Sequence, residues 1–406
     1  MIPRKLVLPL LSILLLTGCS APAGPLTPHA MQAQLVAPTT EQAASLSSFG
    51  ERLFAQVLKA GDANPVISPL SVFYALGMAD DGAGGDTAAA FQAVLGLSVE
   101  QTRQIAAYLL DQLATPGDGT TLTVANSAWL DENLTANQDW VDRLKSYYQA
   151  DVYKQDLHSS ATLKDVNQWI SQKTNKLIPK MLDSIDPGVV ALLVNALYMK
   201  ALWQQPFNTD LTYKSEFTTA GGATVQADFM RQPYDTRQYI KTNTAEGIVL
   251  PYQDGRLEFL AVMPTNGQLT LDGSTIATLL AAAKTQDKVA FTMPKFQTEY
   301  GCDLVDALTA LGLGAAFGSG ADFSGIAPEL FISDVVHKVS MAVGEKGTEA
   351  AAATVVMIAT SGFAGDNLVD VVFDHPYLYA VVDKVTGIPL FVGQMDDPSQ
   401  APPAVE

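Results

Sequence analysis

Residues 345–354 read Glu345-Lys346-Gly347-Thr348-Glu349-Ala350-Ala351-Ala352-Ala353-Thr354, the most unusual stretch of the chain. Four consecutive alanines favour a helix, yet a glycine precedes them and Val355-Val356-Met357-Ile358 follows as a β-prone run. Such conflict between local codes is expected of a segment with two conformations. Taken at every second residue, Thr348, Ala350, Ala352, Thr354, Val356 and Ile358 form a face of small or apolar side chains. As a strand, the segment would bury that face and leave Glu349 at the head of the other one in water.

Working outward, the strand signals cluster in the second half of the chain. Residues 189–198 (VVALLVNALY) are almost continuously apolar and predict a strand in the middle of a sheet covered on both faces. Further strands are expected at 121–130, 257–263, 289–293, 331–342 and 369–373, and 377–382 with 390–394 form a hairpin around Thr386-Gly387. Helical periodicity dominates earlier. Leu46, Phe49, Leu53, Phe54, Val57 and Leu58 mark a helix over 41–59, and Ser68-Pro69 opens another that stops at Asp81-Gly82-Ala83-Gly84-Gly85. Helices also fit 137–149 and 163–176. Helices early and strands late favour an α+β architecture over a βαβ repeat, in one large domain from 41 to 398.

The ends of the chain set the compartment. Arg4 and Lys5 precede the apolar run 6–16, too short for a stable membrane span and shaped as a signal peptide over 1–18. The run ends in Leu16-Thr17-Gly18-Cys19, which resembles the lipobox of bacterial lipoproteins and makes Cys19 the expected site of lipidation. Residues 19–40 read as a tether and 399–406 as a tail. The expectation is an exported protein held to a membrane only through this N-terminal lipid, at the cell surface or on the periplasmic side, or free outside the cell. Cys302 is the only other cysteine, so no disulfide framework holds the body. A net charge of −18 with no basic cluster argues against nucleic acid as a partner.

No catalytic set emerges. Nucleophilic hydrolysis needs a serine beside a base, but G-x-S-x-G and S-x-x-K are absent and the histidines are His29, His158, His337 and His375, scattered along the chain. There is no H-x-x-x-H, no C-x-x-C and no dense aspartate loop for a metal, and Gly82, Gly84 and Gly85 lack the completion of a phosphate-binding loop. Asp80 and Asp81 are adjacent, so they face different ways on a helix and read as a turn or solvated face. Neither a cofactor nor a metal is expected.

The motifs taken in order carry a resemblance. The stretch 64–78 (NPVISPLSVFYALGM) with Gly82-Ala83-Gly84-Gly85-Asp86-Thr87, then 193–200 (LVNALYMK) through Trp203 and Phe207, Met293-Pro294-Lys295-Phe296, 321–326 (ADFSGI), His337-Lys338 and Asp374-His375-Pro376-Tyr377 resemble the serpins, protease inhibitors with a bait loop. The likeness runs from about Phe49 to Pro398. It implies helices packed around a large central mixed β-sheet plus two smaller sheets, with an exposed reactive-centre loop at about 345–368.

The family mechanism then follows as an expectation. A serine-type endopeptidase, with cysteine endopeptidases as a further class, cuts the loop and is acylated. The freed loop enters the central sheet as a new strand and distorts the trapped enzyme. The resemblance makes 345–354 the hinge, places Ser68, Ser71, Asn195 and His337 in the polar shutter beneath the sheet, and Trp203 and Lys295 at the breach above it, with Lys295 facing Glu345. A core role for His337 and for Trp203 is compatible with these positions. Counting from the hinge glutamate suggests Ser361-Gly362 as the scissile bond, with Thr360-Ser361 and Phe363-Ala364 as alternatives. No Lys or Arg lies between Thr348 and Asp366, which disfavours a trypsin-like target and favours an elastase-, subtilisin- or chymotrypsin-like one. The family's heparin-binding helix falls near 100–114, where only Arg103 is basic, so polyanion activation is not expected. A monomer is expected. The rival reading is a non-inhibitory serpin acting as a binding protein.

Overall fold

The computed structural model describes residues 33–267, 269–348 and 368–400. The signal segment, Cys19, hinge residues 349–354, bond candidates 360–364 and the tail from 401 lie outside the described residues.

Helix α1 (Thr40–Val57) begins where Thr39 and Gln42 cap each other, through amide-to-side-chain bonds of 3.2 and 2.8 Å. Its stripe Leu46, Phe49, Leu53, Phe54 and Val57 is buried, as the spacing predicts. In α2 (Pro69–Asp80) Ser68 Oγ accepts from the Ser71 amide at 3.1 Å and Pro69 fills the first turn. This helix has no polar face and is buried on nearly every side. The other helices are α3 (Gly85–Leu95), α4 (Val99–Ala114), α5 (Gln138–Tyr148), α6 (Ser160–Lys173), α7 (Thr275–Ala282) and α8 (Val305–Leu311).

The strands are β1 (Val66–Ile67), β2 (Thr120–Asp131), β3 (Asp151–Gln155), β4 (Ala191–Leu202), β5 (Tyr213–Thr218), β6 (Thr224–Lys241), β7 (Ala245–Pro251), β8 (Leu257–Pro264), β9 (Lys284–Pro294), β10 (Phe296–Asp303), β11 (Val336–Gly344), β12 (Gly347–Thr348), β13 (Val369–Val372), β14 (Tyr377–Asp383) and β15 (Pro389–Met395). Six of them form a mixed sheet in the order β10-β11-β12-β4-β2-β3. One of its faces puts Val194 and Ala196 of β4 against Trp129, Val166, Trp169 and Ile170, beneath α6; the other joins the main core with α1 and α2. The remaining nine strands are one hydrogen-bonded network, β1-β15-β14-β8-β7-β6-β9-β13 with β5 on β6. The two smaller sheets expected from the sequence are therefore continuous through the long β6. Its pairing with β9 shifts register between Gln232 and Asp235, where Pro233 has no amide to offer the ladder.

Several boundaries differ from the sequence reading: the strand expected over 289–293 is Lys284–Pro294 and the helix expected over 163–176 is Ser160–Lys173. The strand expected over 331–342 starts only at Val336, because the preceding residues bond elsewhere: the Val335 amide donates to Asp303 Oδ1 at 3.2 Å, and Leu304 donates to the Val335 carbonyl at 3.0 Å. The strand expected over 189–198 is Ala191–Leu202, and its first three residues are half-buried rather than covered on both faces.

Candidate functional site

The root of the bait segment is held at the top of the six-stranded sheet. Glu345 and Lys346 turn the chain out of β11, and the exit of β4 grips that turn: the Trp203 amide donates to the Lys346 carbonyl at 2.8 Å and the Phe207 amide to the Glu345 carbonyl at 2.7 Å. Trp203 Nε1 donates to the Gly344 carbonyl at 2.9 Å. The Glu345 carboxylate accepts from Thr212 Oγ1 at 3.0 Å and lies 3.5 Å from Lys295 Nζ. At that separation, with Lys295 partly exposed, the ion pair orients the turn more than it stabilises it.

Gly347 and Thr348 then form β12, antiparallel to strands on both sides. Gly347 pairs with Leu202 and Gly344, and Thr348 with Ala201 and Val343. Glycine is required here by proximity, since a Cβ on Gly347 would lie 2.0 Å from the Ala201 carbonyl oxygen. Thr348 is 2% exposed, and its hydroxyl lies 2.6 Å from that of Tyr252. Tyr252 stacks on Trp203, with ring centroids 4.6 Å apart and planes 15° from parallel.

Below β12 a cleft of about 210 Å³ runs between β4 and the start of β11, over the side of α2 that carries Ser71, Leu76 and Ala79. Asn195 and His337 line it too. The shutter residues fall into two linked pairs. The Ser68 amide donates to His337 Nε2 at 3.0 Å, so this ring nitrogen is an acceptor, and burial pushes the imidazole down to about 4. Asn195 Nδ2 donates to Asn126 Oδ1 at 2.7 Å, and Asn126 Nδ2 in turn to the Tyr148 carbonyl at 2.7 Å. Asn195 Oδ1 is buried with no partner among the described residues.

The structure thus brings Glu345, Gly347, Thr348, Trp203 and Lys295 together at one end, and Ser68, Ser71, Asn195 and His337 together beneath the cleft. Asn126 and Tyr252 were missed by the sequence reading. A polar Asn-Ser pair inside the otherwise apolar run 124–130 of β2 was a usable signal for Asn126; a lone tyrosine in a turn was none for Tyr252. Arg103, the single basic residue of α4, is committed to the buried Asp81, as is Arg143 at 2.9 Å. Burial pushes the Cys302 thiol up to about 11, which keeps it unreactive at neutral pH.

The serpin (serine protease inhibitor) family model matches residues 44–398. A serpin-like protein of Thermococcus kodakarensis is 30% identical, over 87% of this chain and 85% of its own. Serpin-ZXA of Oryza sativa is 32% identical, over 82% and 90%. Among solved structures, the thermophilic serpin tengpin in its native state matches with a TM-score of 0.81 at 29% identity, covering 90% of this chain and 97% of that one. The latent state of tengpin gives 0.76 at 28% identity, covering 90% and 98%. Thyroxine-binding globulin in complex with thyroxine shares the fold, with a TM-score of 0.79 at 23% identity over 88% and 99%. With a family model spanning most of its length and this fold, the chain belongs to the serpin family, whose members are mostly protease inhibitors rather than enzymes.

Proposed function

We propose that this serpin is a suicide-substrate inhibitor of serine endopeptidases. The protease serine attacks the carbonyl before the scissile bond, forms an ester there and releases the amine of the following residue. The freed loop then enters the sheet between β4 and β11 before water can cleave the ester. The observation that carries this reading is β12, because the hinge residues Gly347 and Thr348 already occupy the position of a strand between β4 and β11.

The register of β12 supports a full insertion. Carried on unchanged, it brings Thr354 level with Asn195 on β4 and with His337 on β11, and Ile358 level with Ala191, the first residue of β4. Thr354 would then carry its hydroxyl to the shutter, where Asn195 Oδ1 lacks a partner. The face that meets the core is the one led by Thr348, whose members are small or apolar. Ile358 is the last residue with a partner on β4, which leaves 359–364 as the recognition stretch that the protease cuts before insertion begins. Their lack of cations favours an elastase-, subtilisin- or chymotrypsin-like target.

The test is incubation with elastase, subtilisin, chymotrypsin and trypsin, followed by denaturing electrophoresis. The expected result is a complex that survives denaturant with at least one of the first three. Clean cleavage by all, with no enzyme trapped, overturns inhibition in favour of a serpin that acts as a binding protein. We further propose that Cys19 anchors the exported chain to a membrane. Cys19→Ser should move the protein from the membrane fraction to the soluble one, and an unchanged distribution removes the anchor.

A further inference from the structure

The end of β15 closes a cavity that shares no residue with the six-stranded sheet. Its volume is about 230 Å³, and its walls include Leu58 just after α1, Leu269 and Leu271 between β8 and α7, and Leu378 of β14. Gln394 of β15, level with Leu378 across the ladder, and Asp396 supply its polar end. The backbone of Asp396 is held from two sides: its amide donates to Asn64 Oδ1 at 2.8 Å, and its carbonyl accepts from the Ala220 amide at 3.2 Å. The residue is 9% exposed, and among the described residues its carboxylate has one partner, Gln394 Nε2, which donates to Oδ1 at 2.8 Å. A carboxylate so far out of water, with a single neutral donor, carries a desolvation cost that a cation would offset. Burial accordingly raises its carboxyl above the ordinary value.

The chain itself brings no such cation. Lys59, next to Leu58, bonds to Gln56 Oε1 at 2.7 Å, and His375 at the rim faces Asp374 at 2.7 Å. Outside the described residues the only Lys and Arg are Arg4 and Lys5, at the start of the expected signal segment. The positive charge has therefore to come from another molecule. We propose that this cavity is a binding site for a small organic amine, whose ammonium group pairs with Asp396 and whose apolar body fills the leucine-lined space. The volume exceeds the roughly 150 Å³ of a cavity that holds benzene, so an aromatic ring with a short arm fits. The site contains no residue of the hinge or the shutter, and its occupation needs no cut in the loop.

The test is isothermal titration calorimetry of the uncut protein at neutral pH with three probes. These are 2-phenylethylamine, then 2-phenylethanol, which keeps ring and arm without the charge, and phenylacetate, which reverses it. The amine should bind saturably, the alcohol roughly tenfold more weakly or worse, and phenylacetate not at all. Asp396→Asn should bring the amine down to the affinity of the alcohol and leave the alcohol unchanged, whereas Leu271→Trp, which fills the apolar space, should abolish both. No saturable binding of the amine, equal affinities for amine and alcohol, or an amine affinity untouched by Asp396→Asn each overturn the proposal. Amine binding that survives Leu271→Trp belongs to the acidic surface at large and overturns it equally. Melting curves establish that each variant is folded, and should Asp396→Asn not fold, the three probes on the wild type together with Leu271→Trp decide.

Discussion

His337 sits where β11 meets the amino end of α2, and its chemistry is set by burial. The ring is 6% exposed and accepts from the Ser68 amide, so protonation would remove the acceptor and place a charge in the core. Its folded value of about 4 lies below the 6.5 of a free imidazole. Between those values the unfolded chain binds a proton that the folded one refuses, so stability falls as pH drops from 6.5 to 4. The full loss is about 3 kcal/mol at ~1.36 kcal/mol per unit. His337→Gln keeps an acceptor for Ser68 and should abolish this acid-side loss. The check is the melting temperature of variant and wild type at pH 4.5, 6 and 7.5; an identical pH profile for both would contradict it.

At the other end of α2 the sign reverses. The helix finishes in Asp80-Asp81, where the macrodipole already disfavours negative charge. Asp81 is held by Arg103 from α4, which also pairs with Glu100, and by Arg143 from α5, with Tyr148 of α5 packed alongside. Asp80 is 1% exposed and neither of its oxygens has a partner among the described residues. Burial first, then the neighbouring Asp81, raises its carboxyl to about 7. The folded chain therefore holds a proton that the unfolded one has released, and stability is lost as pH rises from about 4 to 7. The two groups oppose each other, so the wild type should be flatter across this window than either variant. Asp80→Asn should gain on the wild type as pH rises, and a difference that does not change with pH would rule the buried acid out.

These elements also show what a sequence discloses. The apolar stripe of α1 and the Ser68-Pro69 start of α2 are local and were legible, as was a buried place for Thr348, the first member of the small-residue face. The start of β11 was not, because what stops the strand at Val336 is a bond to Asp303, more than thirty residues earlier. The pairing of Tyr252 with Thr348 spans 96 residues and has no local trace. Nor did the adjacency of Asp80 and Asp81 disclose that one is paired twice and the other buried alone.

For the molecule as a whole, the consequence of cutting the loop decides between an ordinary fold and a metastable one. In an ordinary domain a nick in a surface loop frees two chain ends, adds entropy to the unfolded state and leaves the native contacts as they were; melting falls or stays. Here the six-stranded sheet is divided unequally. β2 and β4 share a ladder from Thr120–Ala201 to Leu130–Ala191, and β10 and β11 another from Phe296–Val343 to Asp303–Val336, but only the two residues of β12 join these blocks among the described residues. A loop freed by cleavage has a matching register on both sides, and burying Val356 and Ile358 alone returns roughly 1.5–3 kcal/mol each. The nicked protein should therefore melt higher than the intact one, by about 10 °C or more. Scanning calorimetry of the two forms measures it, with cleavage between 359 and 364 verified by mass. A nicked form that melts at or below the intact one would mean that the sheet does not accept the loop, and the hinge geometry at Gly347 and Thr348 would then describe a fixed turn.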